Sequence, residues 1–241
     1  AENISFGLAP RLNAAGRMGK IELAVELFLT DDPDRAVEVA KQLCDLNRQR
    51  QSVESEIYDQ AVSMLPAGQP PEAIVLADET WHQGVVGIVA SRMAEEYCCP
   101  TFLICLDGEH GKASSRSYGG FNLFSSLNTL SSLLESYGGH ELAAGLSVSR
   151  ASLPDFRMRI NEYARTHLSD EALTPTVEAD LALSPSELDM GLASELRRYL
   201  EPYGTENPLP VFALFSVTVE EVVPVGGGKH TRLVLKDGER Y

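Results

Sequence analysis

The sequence predicts an α/β layer domain, preceded by one long helix and followed by a small β-rich segment that reads as a partial barrel. Three patterns predict it. Apolar residues recur three and four apart from about residue 32 to residue 64, the period of a helix. Strand-like and helix-like runs alternate between residues 73 and 167, the signature of a layered α/β domain. After Pro175 the runs become short and β-like, separated by Gly-rich turns.

Residues 3–20 read as a loop in which Arg11, Asn13 and Arg17 stand among small residues. Small neighbours let a ligand approach the backbone, and both arginines suit phosphate; a solvated basic turn is the plain alternative. Ile21 to Leu29 reads as a short helix with Ala24, Val25, Leu27 and Phe28 inward. Asp31-Asp32-Pro33 is a helix start, an N-cap Asp followed by Pro in the first turn. The helix runs to about Met64, with Val39, Leu43, Leu46, Val53, Ile57 and Ala61 on one stripe and a heavily polar opposite face. Such a helix bridges two lobes more readily than it sits inside one. Pro66 to Pro71 is a linker by composition.

Ala73 to Ala77 is a buried strand, Trp81 to Gly84 a turn, and Val85 to Tyr97 an amphipathic helix. Thr101 to Leu106 is a second strand, and Ala113 to Tyr118 a third that leaves through a polar loop, Gly111 to Ser117. A helix over Asn122 to Tyr137, a Gly138-Gly139-His140 turn, a strand near Ala143 to Val148 and a helix from Pro154 to about His167 complete the layer. Leu173-Thr174-Pro175 marks a boundary. Strands are then expected over Val177 to Leu183, Val211 to Val219, Val222 to Val225 and Leu233 to Leu235. A helix from Ser186 to Leu200 interrupts them, and turns fall at Gly226-Gly227-Gly228 and Asp237-Gly238.

Composition limits the function. The formal charge is −15, so a general polyanion-coating surface is excluded, and a nucleic-acid role needs its basic residues gathered in one place. Arg11, Arg17 and Lys20 occupy residues 10–20 without an acid among them. No apolar run approaches the ~20 residues of a membrane span. The start has no signal-peptide features and no Met, and it reads as mid-domain sequence; the end reads as a hairpin cut short. A segment of a longer protein is therefore expected. Cys44, Cys98, Cys99 and Cys105 have no zinc spacing and read as reduced, mostly buried thiols. Asp31, Asp32 and Asp34 form the nearest acidic cluster, and capping explains them better than a metal.

The stretch from Gly111 to Gly145 holds the most suggestive chemistry. It contains Ser114, Arg116 and Ser117 at one end and Gly139 and His140 at the other. Hydroxyl and guanidinium donors suit phosphate, and glycines bring a backbone close to a ligand. These segments read as opposite lips of one anion site, with two ordinary surface turns as the alternative. His82 lies just before a helix N-terminus, where anions are favoured. Trp81 and Phe121 read as core, with base stacking the alternative role.

Five stretches in this order resemble the RecJ family of single-strand-specific 5′→3′ DNA exonucleases, in the DHH phosphoesterase superfamily. They are Pro10-Arg11-Leu12-Asn13-Ala14-Ala15-Gly16-Arg17, Trp81 to Arg92, Ala113-Ser114-Ser115-Arg116-Ser117, Gly138-Gly139-His140-x-x-Ala143-Ala144-Gly145 and Glu201-Pro202-Tyr203-Gly204-x-x-Asn207-Pro208. The third departs from the family's G-S-G-R-S, with two glycines replaced. The resemblance implies four parts: residues 1–30 as the tail of the catalytic DHH domain, 31–66 as a long connecting helix, 72–168 as a DHH-associated substrate-binding domain, and 175–241 as a truncated OB-like barrel. It implies that Arg11, Asn13, Arg17, His82, Ser114, Arg116, Ser117 and Gly139 bind substrate and that His140 lies near the scissile phosphate. It implies Mn²⁺ or Mg²⁺ held by ligands outside this chain, so no metal ligand is expected here and the segment itself is expected to be inactive.

The implied activity is removal of nucleotides from the 5′ end of single-stranded DNA in repair and recombination. The implied partners are that strand and single-strand-binding protein, for a cytoplasmic monomer that touches no membrane. Two rival readings stand beside it. One is a DHH-family phosphodiesterase acting on short oligonucleotides or signalling dinucleotides; the other is a non-catalytic binding module.

Overall fold

The computed structural model describes residues 3–66, 68, 70–168, 176–204, 206–228 and 230–236, and the chain divides into two units, residues 2–175 and 176–241. The boundary at Leu173-Thr174-Pro175 and the turn at Asp237-Gly238 lie outside the described residues.

The first unit begins with helices rather than the expected loop. Asn3–Leu8 winds as a π-helical turn into helix α1, Ala9–Arg17. Pro10 sits in the first turn, where its missing N–H costs nothing, and Ala14 and Ala15 are buried. Reading Pro and Gly as loop residues missed that the Ala-rich core of this stretch favours a helix. Helix α2 spans Ile21–Leu29. Ala24 is its buried residue, whereas Val25 and Phe28 are exposed, contrary to the inward face expected of them. Helix α3 runs Pro33–Ser63, 31 residues and about 46 Å long. Asp32 caps it by accepting from the Asp34 and Arg35 backbone N–H groups at 2.9 and 3.3 Å. The Arg35 guanidinium then grips the Glu26 carboxylate from both Nε and Nη2, tying α2 to α3.

The two halves of α3 serve different cores. Val39, Leu43 and Leu46 pack with Ala14, Ala15 and Ala24. Ile57 and Ala61 pack instead with the α/β layer that follows. The narrow apolar stripe is thus filled along its length by two successive partners.

That layer is a five-stranded sheet built from β1 (Ile74–Asp78), β2 (Thr101–Asp107), β3 (His110–Arg116), β4 (Ser136–Gly139) and β5 (Ala143–Ser149), in the order β1-β2-β3-β5-β4. Helix α4 (Val86–Tyr97) links β1 and β2, which are parallel, and every other pairing is antiparallel. One face of the sheet packs on α3 and α4 through Ile74, Leu103, Val86, Val89 and Met93. The other packs on α5 (Leu123–Thr129) and α6 (Leu153–His167) through Phe102, Ile104, Leu127, Phe156 and Ile160. Trp81 is core, as is Phe121.

Two expectations fail in this layer. The third strand is present but shifted, His110–Arg116 rather than Ala113 to Tyr118, so Ser114, Ser115 and Arg116 are strand and not part of a loop. Gly111, Ala113 and Ser115 alternate inward as small buried residues, and Ser115 is tolerated there because its hydroxyl donates to the Ala144 carbonyl at 2.8 Å. The long helix expected from Asn122 to Tyr137 ends at Thr129. Asn122 caps its start, accepting from the Ser125 N–H. Ser126 and Thr129 then turn their hydroxyls back onto helix carbonyls, and the Ser131–Leu133 turn follows. Hydroxyl side chains that compete for backbone groups weaken helix continuation. The chain straightens instead into β4, so the Gly-Gly of the expected turn is strand and only His140 to Leu142 turns.

In the second unit β6 (Leu181–Ala182) pairs in parallel with β7 (Phe212–Ala213), and β8 (Thr218–Val225) pairs antiparallel with β9 (His230–Lys236). Helix α7, Met190–Leu200, is capped by Asp189, and it starts later than expected, after a short turn at Pro185–Glu187. Gly226, Gly227 and Gly228 have φ of 60, 70 and 87°, so glycine is required between β8 and β9. The strands expected over Val177 to Leu183 and Val211 to Val219 are much shorter than read. The described residues form two separate two-stranded sheets, an open part of a barrel.

Candidate functional site

The site forms where three segments of the first unit meet: the end of α1, the turn before α4, and the end of β3. Gly84 makes the first junction. A Cβ there would lie 2.0 Å from the Arg17 carbonyl oxygen, so only glycine lets the end of α1 rest on this turn. Arg17 Nη1 donates to the Gly84 carbonyl at 3.2 Å. Gly87, in the first turn of α4, makes the second: its Cβ position is 3.1 Å from Arg116 Nη2 and 3.5 Å from Ser114 Oγ. Missing side chains at 84 and 87 therefore bring two arginines and a serine hydroxyl to one helix N-terminus.

The electrostatics are unusual for so acidic a chain. Arg116 is half-buried, and its one side-chain hydrogen bond among the described residues goes from Nη1 to its neighbour's carbonyl, Ser115, at 2.8 Å. Burial pulls its guanidinium below the usual range, and the positive charge of Arg17 adds to the shift. Neither arginine has a carboxylate partner among the described residues. Two cations held near each other, one half-desolvated, are stabilised by an anion between them.

His82 belongs to this turn. Its carbonyl accepts from Val85 and Val86, beginning the helix, and its Nδ1 accepts from the Gly84 N–H at 3.1 Å. That bond leaves the proton on Nε2, a donor. Asn13 is exposed one helical turn before Arg17, on the same face of α1.

Gly139 and His140 lie at the same end of the sheet, two strands away. Arg116 is in register with Ala143, and the His140 N–H donates to the Ala143 carbonyl at 3.0 Å. Gly139 has φ of 140°, and a Cβ there would sit 2.5 Å from that same carbonyl oxygen. The His140 ring is exposed, with Nδ1 accepting from the Leu142 N–H at 3.3 Å.

Two sequence candidates are placed differently. Arg11 turns back to the Gly7 carbonyl and lines an apolar cavity of about 560 Å³ with Leu27, Phe28 and Leu43. On a helix, residues 11 and 17 lie about 120° apart, so the two arginines do not face one ligand. The Ser117 hydroxyl is engaged with the Phe121 carbonyl at 2.5 Å and steadies the loop. Gly84 and Gly87 were not singled out from the sequence; their signal is a pair of glycines spaced three apart at a helix start, where Gly has no intrinsic advantage inside the helix.

Two family models match, the DHHA1 domain over residues 71–166 and the RecJ OB domain over residues 179–241. Single-stranded-DNA-specific exonuclease RecJ of Bacillus subtilis is 36% identical over 98% of this chain, and that of Thermus thermophilus 38% identical over 98%. The chain belongs to the RecJ family. The crystal structure of the Thermus thermophilus RecJ with Mg²⁺ superposes with a TM-score of 0.82 at 35% identity, over 97% of this chain. An exonuclease RecJ bound to manganese matches 70% of it with a TM-score of 0.63. The chain spans about a third of the length of these relatives: 30% and 34% of the two curated proteins and 36% of the Mg²⁺-bound chain.

Proposed function

We propose that this RecJ-family segment holds the substrate of a metal-dependent exonuclease that removes nucleotides from the 5′ end of single-stranded DNA, in repair and recombination. The observation that carries this reading is the pair Arg17 and Arg116, unpaired by any described carboxylate, beside Ser114 and the start of α4. That arrangement suits a phosphate: two guanidinium forks, a hydroxyl and a helix N-terminus converge on one place. His82 and Asn13 extend it, and His140 presents its Nε2 donor at the same end of the sheet.

The donors at this site do not fit a divalent cation. They are guanidinium, hydroxyl and imidazole N–H, and two cations repel a third. No group of three or more His, Cys, Asp or Glu side chains among the described residues is placed to hold a metal. In this reading Mn²⁺ or Mg²⁺ is supplied by residues elsewhere in the protein, and this chain's part is to bind, orient and retain the strand.

The four parts read from the sequence, at residues 1–30, 31–66, 72–168 and 175–241, are retained as the proposed organisation. Single-strand-binding protein as partner, a monomer and a cytoplasmic location complete the proposal. The free cysteines suit a reducing compartment, and no described helix is long and apolar enough to cross a membrane. The test is affinity of the complete protein for 5′-phosphorylated against 5′-hydroxyl oligonucleotides. Tighter binding of the phosphorylated strand is expected, and equal binding overturns the phosphate assignment.

A further inference from the structure

The geometry points to a nucleobase platform at Phe124, beside His140, that holds one base of the strand while the arginine pair holds phosphate. The inference rests on the phosphate reading above and adds a second contact to it. Phe124 lies in the first turn of α5 and is 45% exposed. It lines a cavity of about 340 Å³ with Asn122, Gly139, His140 and Glu141, a size suited to one nucleotide-scale group.

The ring is held for this purpose. It packs against Tyr137 with centroids 6.1 Å apart and planes at 51°, and the Tyr137 hydroxyl donates to Asn128 Oδ1 at 2.9 Å. An aromatic ring braced on one side and open on the other is a stacking surface available without reordering.

The cavity's polar groups select a base over a phosphate. Its charged side chain is the Glu141 carboxylate, which repels an anion and accepts N–H groups. Asn122 Oδ1 is taken by the Ser125 N–H, so its amide presents N–H donors. His140 Nδ1 is taken by the Leu142 N–H, so its free nitrogen also donates. A flat group with donors and acceptors on its edge matches this lining, as a nucleobase does. The strands that end at Arg116 and Gly139 are two strand spacings apart, about 10 Å, at one end of the sheet.

The experiment uses the complete protein without divalent metal and a 5′-phosphorylated oligothymidylate carrying one abasic residue, moved stepwise from the 5′ end. Wild type should lose about tenfold in affinity at one position, the scale of a single base–aromatic stack. Phe124→Ala should bind the intact strand about tenfold more weakly and lose nothing further at that position. Phe124→Trp should restore binding. Phe124→Leu, which keeps the packing on Tyr137, should behave as the alanine variant, and it decides the matter if the alanine variant folds poorly. An abasic penalty equal in wild type and Phe124→Leu at every position overturns the platform, as does a flat abasic profile in wild type. Preference for a 5′ phosphate is measured on the same proteins. If it persists in Arg116→Ala the phosphate reading fails; if Arg116 carries it and the abasic profile is flat, only the platform fails.

Discussion

Arg116→Met should separate binding from stability more cleanly than any other substitution in this chain. The change removes the charge and keeps an apolar stem in the same half-buried place. In the free protein it deletes one hydrogen bond, Nη1 to the Ser115 carbonyl at 2.8 Å, which contributes about 1 kcal/mol. It also removes a half-desolvated cation that stands near Arg17 with no described carboxylate to balance it. These effects oppose each other, so the unfolding free energy should move by less than about 1 kcal/mol. Binding has no such offset. A charge-assisted bond to phosphate contributes about 1.5–3 kcal/mol, which is roughly 10- to 150-fold in affinity. The dependence of log affinity on log salt should flatten by about 0.7 if one phosphate contact of a single strand is lost. The assay is fluorescence anisotropy of the complete protein with 5′-phosphorylated and 5′-hydroxyl strands, alongside urea unfolding. If Arg116→Met cost more than about 2 kcal/mol of stability and left both affinities unchanged, Arg116 would be a structural residue and the argument would be refuted.

Four further outcomes follow from the same geometry. Gly84→Ala places a methyl 2.0 Å from a backbone oxygen, so urea unfolding should show a loss of about 1–3 kcal/mol, and strand affinity should fall with it because α1 must lift. Ser117→Ala should lower thermal stability slightly and leave the 5′-phosphate preference intact, since its hydroxyl serves the Phe121 carbonyl; loss of that preference would return Ser117 to the site. Burial, then the bond to Glu96, pushes the Tyr58 phenol up to about 12. The neutral phenol therefore favours the folded state below its ordinary value near 10, and that contribution is lost between about pH 10 and pH 12; wild type should lose more stability across this window than Tyr58→Phe. Burial likewise pushes the Cys99 thiol up to about 12, so alkylation near pH 8 followed by peptide mass analysis should label Cys99 far more slowly than the less buried Cys98.

How much was legible depended on whether the pattern was carried by side chains or by missing ones. The periodicity of Val39, Leu43, Leu46, Ile57 and Ala61 announced α3, and Asp32-Pro33 announced its start, because caps and apolar stripes are written in residue type. The sequence predicts a strand over Ala113 to Tyr118, but polar residues flanked by Gly also look like a loop, so its start at His110 is missed; inside it, Ser115 satisfies its hydroxyl on Ala144. The helix from Asn122 was overextended because Leu127, Leu130 and Leu134 keep a helical rhythm through a serine-rich run whose hydroxyls compete with the backbone. Arg11 and Arg17 looked alike in a presumed loop; a helix separates them, and no composition argument reports that angle.

The same distinction bears on how, in the proposed reading, a chain of net charge −15 would hold a polyanion. Several of its acids pair with other arginines: Glu26 and Glu38 with Arg35, Glu54 with Arg50, Glu79 with Arg150, and Glu72 with Arg165. Arg17 and Arg116 are kept out of such pairs by their surroundings, which are the backbone of Gly84, the first turn of α4 and the small residues of β3. In the proposed reading the acidic remainder repels DNA elsewhere and so concentrates attraction at this notch. Position depends on α1 and β3 being locked together through Gly84 and Gly87. Converting either glycine should therefore scatter the two guanidinium groups even though both arginines remain. In a double substitution, Gly84→Ala with Arg17→Met should cost little more affinity than Arg17→Met alone. Full additivity would mean that the glycine acts on binding by some route other than placing the arginines.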